Sequence, residues 1–126
     1  MILGTGIDMV EIERIESSIA QFGDKFLQRV FLPEEIAYAS SCNFSAPHFA
    51  ARFAAKEAVS KAFGTGIGEE LGWHDMEVGR SASGQPTLHL HGQGIKLASS
   101  RGVKEVMISL THTKTSAAAV AILIGA

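Results

Sequence analysis

The chain has 126 residues, 46% apolar and 19% charged, with a formal net charge of −2. That length predicts one domain over residues 1–126, with a small but real core and a globular rather than disordered balance. A near-neutral charge without a broad basic field excludes nucleic-acid binding by bulk electrostatics, and one cysteine, Cys42, excludes an internal disulfide and suits a reducing compartment.

Met1 to Val10 is apolar, interrupted by Gly4 and Gly6, and reads as a strand; glycines inside a strand often mark a bulge or the close approach of another backbone or a ligand. It carries no basic region followed by a long apolar stretch, so it is not expected to be a secretory signal. Ile12, Ile15, Ile19 and Phe22 recur at helical spacing, and Gly23 closes that helix. Lys25 to Phe31 predicts a second short helix. A third starts at Pro33, with Glu34 and Glu35 suited to a first turn. Asn43 to Pro47 is a break.

The longest helix is expected from Ala46 or Pro47 through Phe63, rich in Ala, Lys, Glu and Arg and stopped by Gly64. The glycine-rich segment GTGIGEELG follows. Trp73 to Gly79 and Pro86 to Leu90 read as strands joined by a turn over Ser81 to Gln85. Gln93 to Ser100 predicts a short helix stopped by Gly102. Val103 to Thr113 and Ser116 to Ile124 predict two strands around a turn at Lys114 and Thr115. The last apolar run, Ala117 to Ile124, is too short to span a bilayer, so the protein is expected in the cytoplasm and off the membrane. Helices segregate from hairpins in this order. The fold expected is therefore α+β, a mostly antiparallel sheet packed against a long helix.

On a helical wheel, Ala51, Ala54, Ala55, Ala58, Val59 and Ala62 share one side of the long helix. The other side mixes Phe49, Phe53 and Phe63 with Arg52, Lys56, Glu57 and Lys61. Long cationic stems covering aromatic rings at the core's rim would explain the mixture. So would a cleft or subunit interface with its charges aimed at a ligand. Glu57 and Lys61, four apart, are spaced to pair.

Three ordered segments carry a resemblance: GTGIDMVEIERI (Gly4 to Ile15), RFAAKEAVSKAFGTGIG (Arg52 to Gly68) and ISLTHT (Ile108 to Thr113). With WHDMEV (Trp73 to Val78) and the Gly84-Gln85-Pro86 turn, they resemble the holo-acyl-carrier-protein synthases, small phosphopantetheinyl transferases, over essentially the whole chain. The resemblance implies the 4′-phosphopantetheinyl transferase fold and transfer of 4′-phosphopantetheine from coenzyme A to a serine of apo-acyl carrier protein. It implies Mg²⁺, release of adenosine 3′,5′-bisphosphate, a role in fatty acid biosynthesis, and a homotrimer with sites between subunits.

The chemistry fits those residues. Attack on a pyrophosphate needs its negative charge neutralised, and Mg²⁺ takes one or two carboxylates plus phosphate oxygens and water. Read alone, Asp8 suits a cap before the first helix, and Glu57 a surface partner of Lys61. Matched to the family, Asp8 and Glu57 become the metal ligands, and Glu57 or a water beside it accepts the serine proton. Lys61 would hold a phosphate oxygen and stabilise the leaving group. Gly64, Thr65 and Gly66 would approach coenzyme A closely, although this segment stands at a helix C-terminus and serves equally as a plain cap. Arg52, and His112 from a neighbouring subunit, match positions near the adenosine 3′-phosphate.

His48, His74, His89 and His91 match no functional position of the family. His89 and His91 share one side of a strand without further ligands to make a zinc site. Carrier proteins are acidic, so Arg14, Lys25 and Arg29 are the expected docking residues, in a stretch that Glu11, Glu13, Glu16 and Asp24 make less basic. Two other readings compete: a Mg²⁺-dependent phosphohydrolase, disfavoured by the lack of GxxxxGK[ST], and a non-catalytic module binding coenzyme A or a carrier protein.

Overall fold

A computed structural model describes residues Met1–Ala126. The elements in order are β1 (Ile2–Glu11), α1 (Ile12–Phe22), α2 (Asp24–Val30), α3 (Pro33–Ser40), α4 (Ser45–Phe63), a 3-10 turn (Trp73–Asp75), β2 (Met76–Arg80), β3 (Pro86–Leu90), α5 (Gln93–Arg101), β4 (Val103–His112) and β5 (Ser116–Gly125). The fold is α+β, as expected. Its strands form two antiparallel sheets, β1-β5-β4 and the hairpin β2-β3. The hairpin's β3 lies against β4, and a single cluster of 27 buried apolar residues fills the interior.

Most boundaries shift by a residue or two from expectation, as element ends do. Two shifts matter. The first strand runs on through Glu11, so Asp8 lies inside it, opposite Ala119, rather than at its end. No side chain caps α1, which removes the capping role for Asp8. The strand expected from Trp73 begins only at Met76, because Asp75 Oδ2 accepts from the Gly72 amide at 2.8 Å and winds Trp73–Asp75 into the 3-10 turn.

The face of the three-stranded sheet that meets α4 is built from small residues. Ala117, Ala119 and Ala121 alternate inward along β5 and are buried. Gly4 and Gly6 do the same on β1, where a Cβ would come within 2.4 Å of the Ala62 carbonyl oxygen and 1.9 Å of that of Ala58. On the helix side Ala54, Ala55, Ala58 and Val59 are fully buried. Small side chains on both partners let backbones approach, and dense packing recovers the dispersion energy.

The other side of α4 is also covered, by α1, α3 and β2. Phe49, Phe53 and Phe63 therefore lie in the core rather than on a cleft wall. Phe31 stacks at 5.1 Å on Phe49, and Trp73 at 5.1 Å on Phe53. Removing such a buried ring costs about 3–5 kcal/mol. Lys56 corrects the expectation that this side aims its charges outward. It is fully buried and its Nζ donates to Glu35 Oε1 at 2.7 Å.

Candidate functional site

Glu57 and Lys61, one turn apart, lie where α4 emerges from the core beside β1. The alternation of β1 points Asp8, like Gly6, toward that helix. Lys61 Nζ donates to Asp8 Oδ1 at 2.9 Å and to the Ile7 carbonyl oxygen at 3.1 Å. The expected Glu57–Lys61 pair does not form. The lysine crosses to β1 instead, because the close glycine contact brings a carboxylate and a carbonyl within its reach.

The charges betray how these groups face one another. Burial raises the Glu57 carboxyl above the ordinary carboxylate range, the Asp8 charge raises it further, and Lys61 and Arg14 partly offset both. The hydrogen bond from Lys61 to Asp8, with Asp8's charge, holds the ammonium protonated beyond its usual range. Asp8 and Glu57 thus lie close enough for the charge of one to be felt by the other. Two like charges sharing a space disfavour ionisation of one of them, and a divalent cation between them would remove that penalty. Mg²⁺ fits this donor set of two carboxylates, since it completes its shell with water or phosphate oxygens. No group of three or more His, Cys, Asp or Glu side chains gathers into a fuller protein cage.

The segment after α4 is a helix cap. Gly64 adopts φ 79°, its amide donates to Lys61 O, and the Thr65 and Gly66 amides both donate to Ser60 O at 3.2 Å. The three N–H groups are engaged by the helix, so the loop forms no amide cradle for a phosphate. It can offer a substrate only close backbone approach and the Thr65 hydroxyl, which itself donates to Gly66 O at 2.8 Å.

Arg52 and His112 come together through His48. Arg52 is only 5% exposed, Nη1 donates to His48 O at 3.2 Å, and buried Nε has no partner. The His48 and His112 rings stand 6.2 Å apart. Tyr38 carries the guanidinium of Arg52 over its ring at 4.6 Å and that of Arg80 at 5.0 Å. Burial, then Arg52, His112 and Arg80, lower the proton affinity of His48. Arg52, Arg80 and His48 thus surround the Tyr38 ring, with His112 beyond His48, and none of the four takes part in an ion pair. Sequence reasoning found two of the four. His48, Arg80 and Tyr38 had no motif to mark them, because residues from α3, α4 and β2 meet only in the fold.

Arg14 is exposed on α1, 5.6 Å above the Phe53 ring and close enough to Glu57 for its charge to be felt there. Lys25 and Arg29 are exposed on α2. His91 pairs with Glu77 at 2.8 Å.

A family model for the 4′-phosphopantetheinyl transferase superfamily matches residues 4–122. The holo-[acyl-carrier-protein] synthase of Koribacter versatilis is 50% identical over 123 residues, 98% of each chain. Among solved structures, the holo-[acyl-carrier-protein] synthase of Neisseria meningitidis superposes with a TM-score of 0.92 at 31% identity, covering 98% of this chain and 99% of that one. The Helicobacter pylori enzyme, solved in complex with coenzyme A, gives 0.86 at 32% identity, over 95% and 99%.

Proposed function

This chain belongs to the 4′-phosphopantetheinyl transferase superfamily as a holo-[acyl-carrier-protein] synthase, and from that premise we propose that it carries the phosphopantetheine arm of coenzyme A to a serine of apo-acyl carrier protein with Mg²⁺ held by Asp8 and Glu57. The observation that carries this reading is the convergence of Asp8, Glu57 and Lys61 where β1 meets α4.

The serine oxygen attacks the pantetheine-side phosphorus of the pyrophosphate. A new phosphodiester forms, the bond to the other phosphate breaks, and adenosine 3′,5′-bisphosphate leaves with the electron pair. Bound Mg²⁺ supplies charge neutralisation on the diphosphate oxygens. Glu57 takes the serine proton directly or through one water. Lys61, anchored by Asp8, places its ammonium against charge building on the departing phosphate. Arg52 and His112, with His48 and Arg80 beside them, offer positive charge for the nucleotide's phosphate. The Gly64–Gly66 turn forms a wall beside it. Arg14, Lys25 and Arg29 receive the acidic carrier.

The outer face of the three-stranded sheet supports assembly into a homotrimer. Ile7 and Met9 are 69% and 70% exposed and Met107 45%, flanking the half-buried Val120 and Ile122. An uncovered apolar face of this kind marks a contact surface. In the trimer, sites complete themselves between neighbours, with His112 of one subunit, carried beside its own His48 and Arg52, reaching the Asp8 and Glu57 of the next. The place of action is the cytoplasm, in fatty acid biosynthesis.

Incubation with apo-carrier, coenzyme A and Mg²⁺, followed by the intact mass of the carrier, tests the reading. A carrier that gains the pantetheine arm supports it. Hydrolysed coenzyme A beside an unmodified carrier would instead identify a phosphohydrolase, and binding without product a non-catalytic module.

A further inference from the structure

Immediately before Glu57, Lys56 is buried completely, and so is its partner Glu35. A buried ion pair contributes little net stability over apolar side chains of the same volume, because desolvation offsets the attraction. What distinguishes this pair is the completeness of its bonding. Lys56 Nζ donates to Glu35 Oε1 at 2.7 Å, to Val30 O at 2.7 Å and to Trp73 O at 3.1 Å. That uses all three ammonium hydrogens. Glu35 Oε1 also accepts from Leu32 N at 2.8 Å, and Oε2 from Val78 N at 2.8 Å.

Every one of those backbone groups belongs to a different segment. Val30 is the last residue of α2, and Leu32 begins α3. Trp73 opens the 3-10 turn, and Val78 is the middle of β2. The pair therefore joins four segments to α4 at one point, one residue from the candidate metal ligand. It also sits under the basic face. The Trp73 ring rests on Phe53, Phe26 of α2 stacks on Phe53 at 6.5 Å, and Phe53 carries Arg14.

We propose that Glu35 and Lys56 are positioning residues for carrier recognition: they fix the α1–α2 face bearing Arg14, Lys25 and Arg29 at a set distance from Asp8 and Glu57. The inference rests on the carrier-transfer reading above. Neither residue touches a substrate. Asp8, Lys61, Arg52 and His112 receive no hydrogen bond from the pair, so coenzyme A binding depends on it less than carrier recognition does.

The test compares Lys56→Met, Glu35→Gln and the double variant Glu35→Leu/Lys56→Met with the unaltered protein. Coenzyme A affinity is measured by calorimetry, carrier KM and kcat by product mass, and melting temperature alongside. The single variants leave one buried polar partner unsatisfied and melt lower. The double variant regains stability because neither charge remains buried. In the double variant, carrier KM is expected to rise about tenfold, the size of effect a remote positioning change commonly has. Coenzyme A affinity is expected to change by a smaller factor than carrier KM.

A stable double variant with unchanged carrier KM would overturn the proposal, as would a loss of coenzyme A affinity equal to the loss in carrier KM. If the unaltered protein modifies no carrier, the transfer reading itself fails. Amide exchange at Leu32 and Val78, whose N–H groups both donate to Glu35, then decides whether the pair ties these segments together, with faster exchange in the double variant Glu35→Leu/Lys56→Met expected and unchanged exchange refuting the tie.

Discussion

Gly6 on β1 and Ala58 on α4 meet backbone to backbone: a Cβ on Gly6 would lie 1.9 Å from the Ala58 carbonyl oxygen and 2.7 Å from the Ala62 amide nitrogen. Two residues along the strand from this contact is Asp8, and beside Ala58 is Glu57. The closest approach of strand and helix is thus what brings the two carboxylates and Lys61 together. Gly6→Ala forces the strand off the helix. Overpacking of this kind costs about 1–3 kcal/mol, and the displacement should cost activity beyond that loss of stability. Melting temperature and turnover on the one variant check both.

Removal of either carboxylate tests the proposed metal site directly. Asp8→Ala and Glu57→Ala are each expected to lower turnover by about a hundredfold or more, judged against the 10–100-fold that the partners of metal ligands alone are worth. Higher Mg²⁺ should recover part of the loss in Asp8→Ala. Near-normal turnover at modest Mg²⁺ in either variant would defeat the assignment.

Glu57 also carries a cost to the fold. Its carboxyl sits above its unfolded range because of burial and the Asp8 charge. A group whose folded affinity for protons is raised adds stability that is fully present below its unfolded pKa and lost as pH rises through its folded one. Glu57→Gln, permanently neutral, should therefore melt higher than the unaltered metal-free protein at pH 7, and the gap should close toward acid. The same variant should be inactive. A thermal melt series across pH in chelator tests the sign.

Lys61 is half exposed, and its link to Asp8 is a surface contact of small energetic weight. Lys61→Ala should leave the melting temperature almost unchanged while lowering kcat, with kcat and kcat/KM for coenzyme A falling together as for a group acting in the transition state. A rise in KM alone would make Lys61 a binding residue only.

The exposed Ile7, Met9 and Met107 predict the assembly. Ile7→Glu places a charge on the apolar sheet face, on its edge strand β1, and should yield monomers in sedimentation. If His112 acts from a neighbour, those monomers bind coenzyme A more weakly. Monomers with full activity would contradict the shared cleft.

Hydrophobic spacing and glycine placement are local properties. For that reason the helices, the two hairpins and the α+β class were legible before any coordinates, whereas Gly4 and Gly6 marked a bulge or a close approach without saying that α4 would make it. Asp8, Glu57 and Lys61 were singled out by the resemblance, and the fold brings Lys61 onto Asp8. What stayed hidden depended on residues far apart in sequence. Lys56 looked like one more charge on a mixed helix face, and only the covering of that face by α1, α3 and β2 turned it inward to Glu35. Lys61 had two carboxylates to choose from, and the distance to β1 decided for Asp8. His48, Arg80 and Tyr38 join Arg52 and His112 because α3, α4, β2 and β4 end near one another. Periodicity determines which face of an element is apolar; what that face meets is set by packing, and burial and pairing follow from the packing.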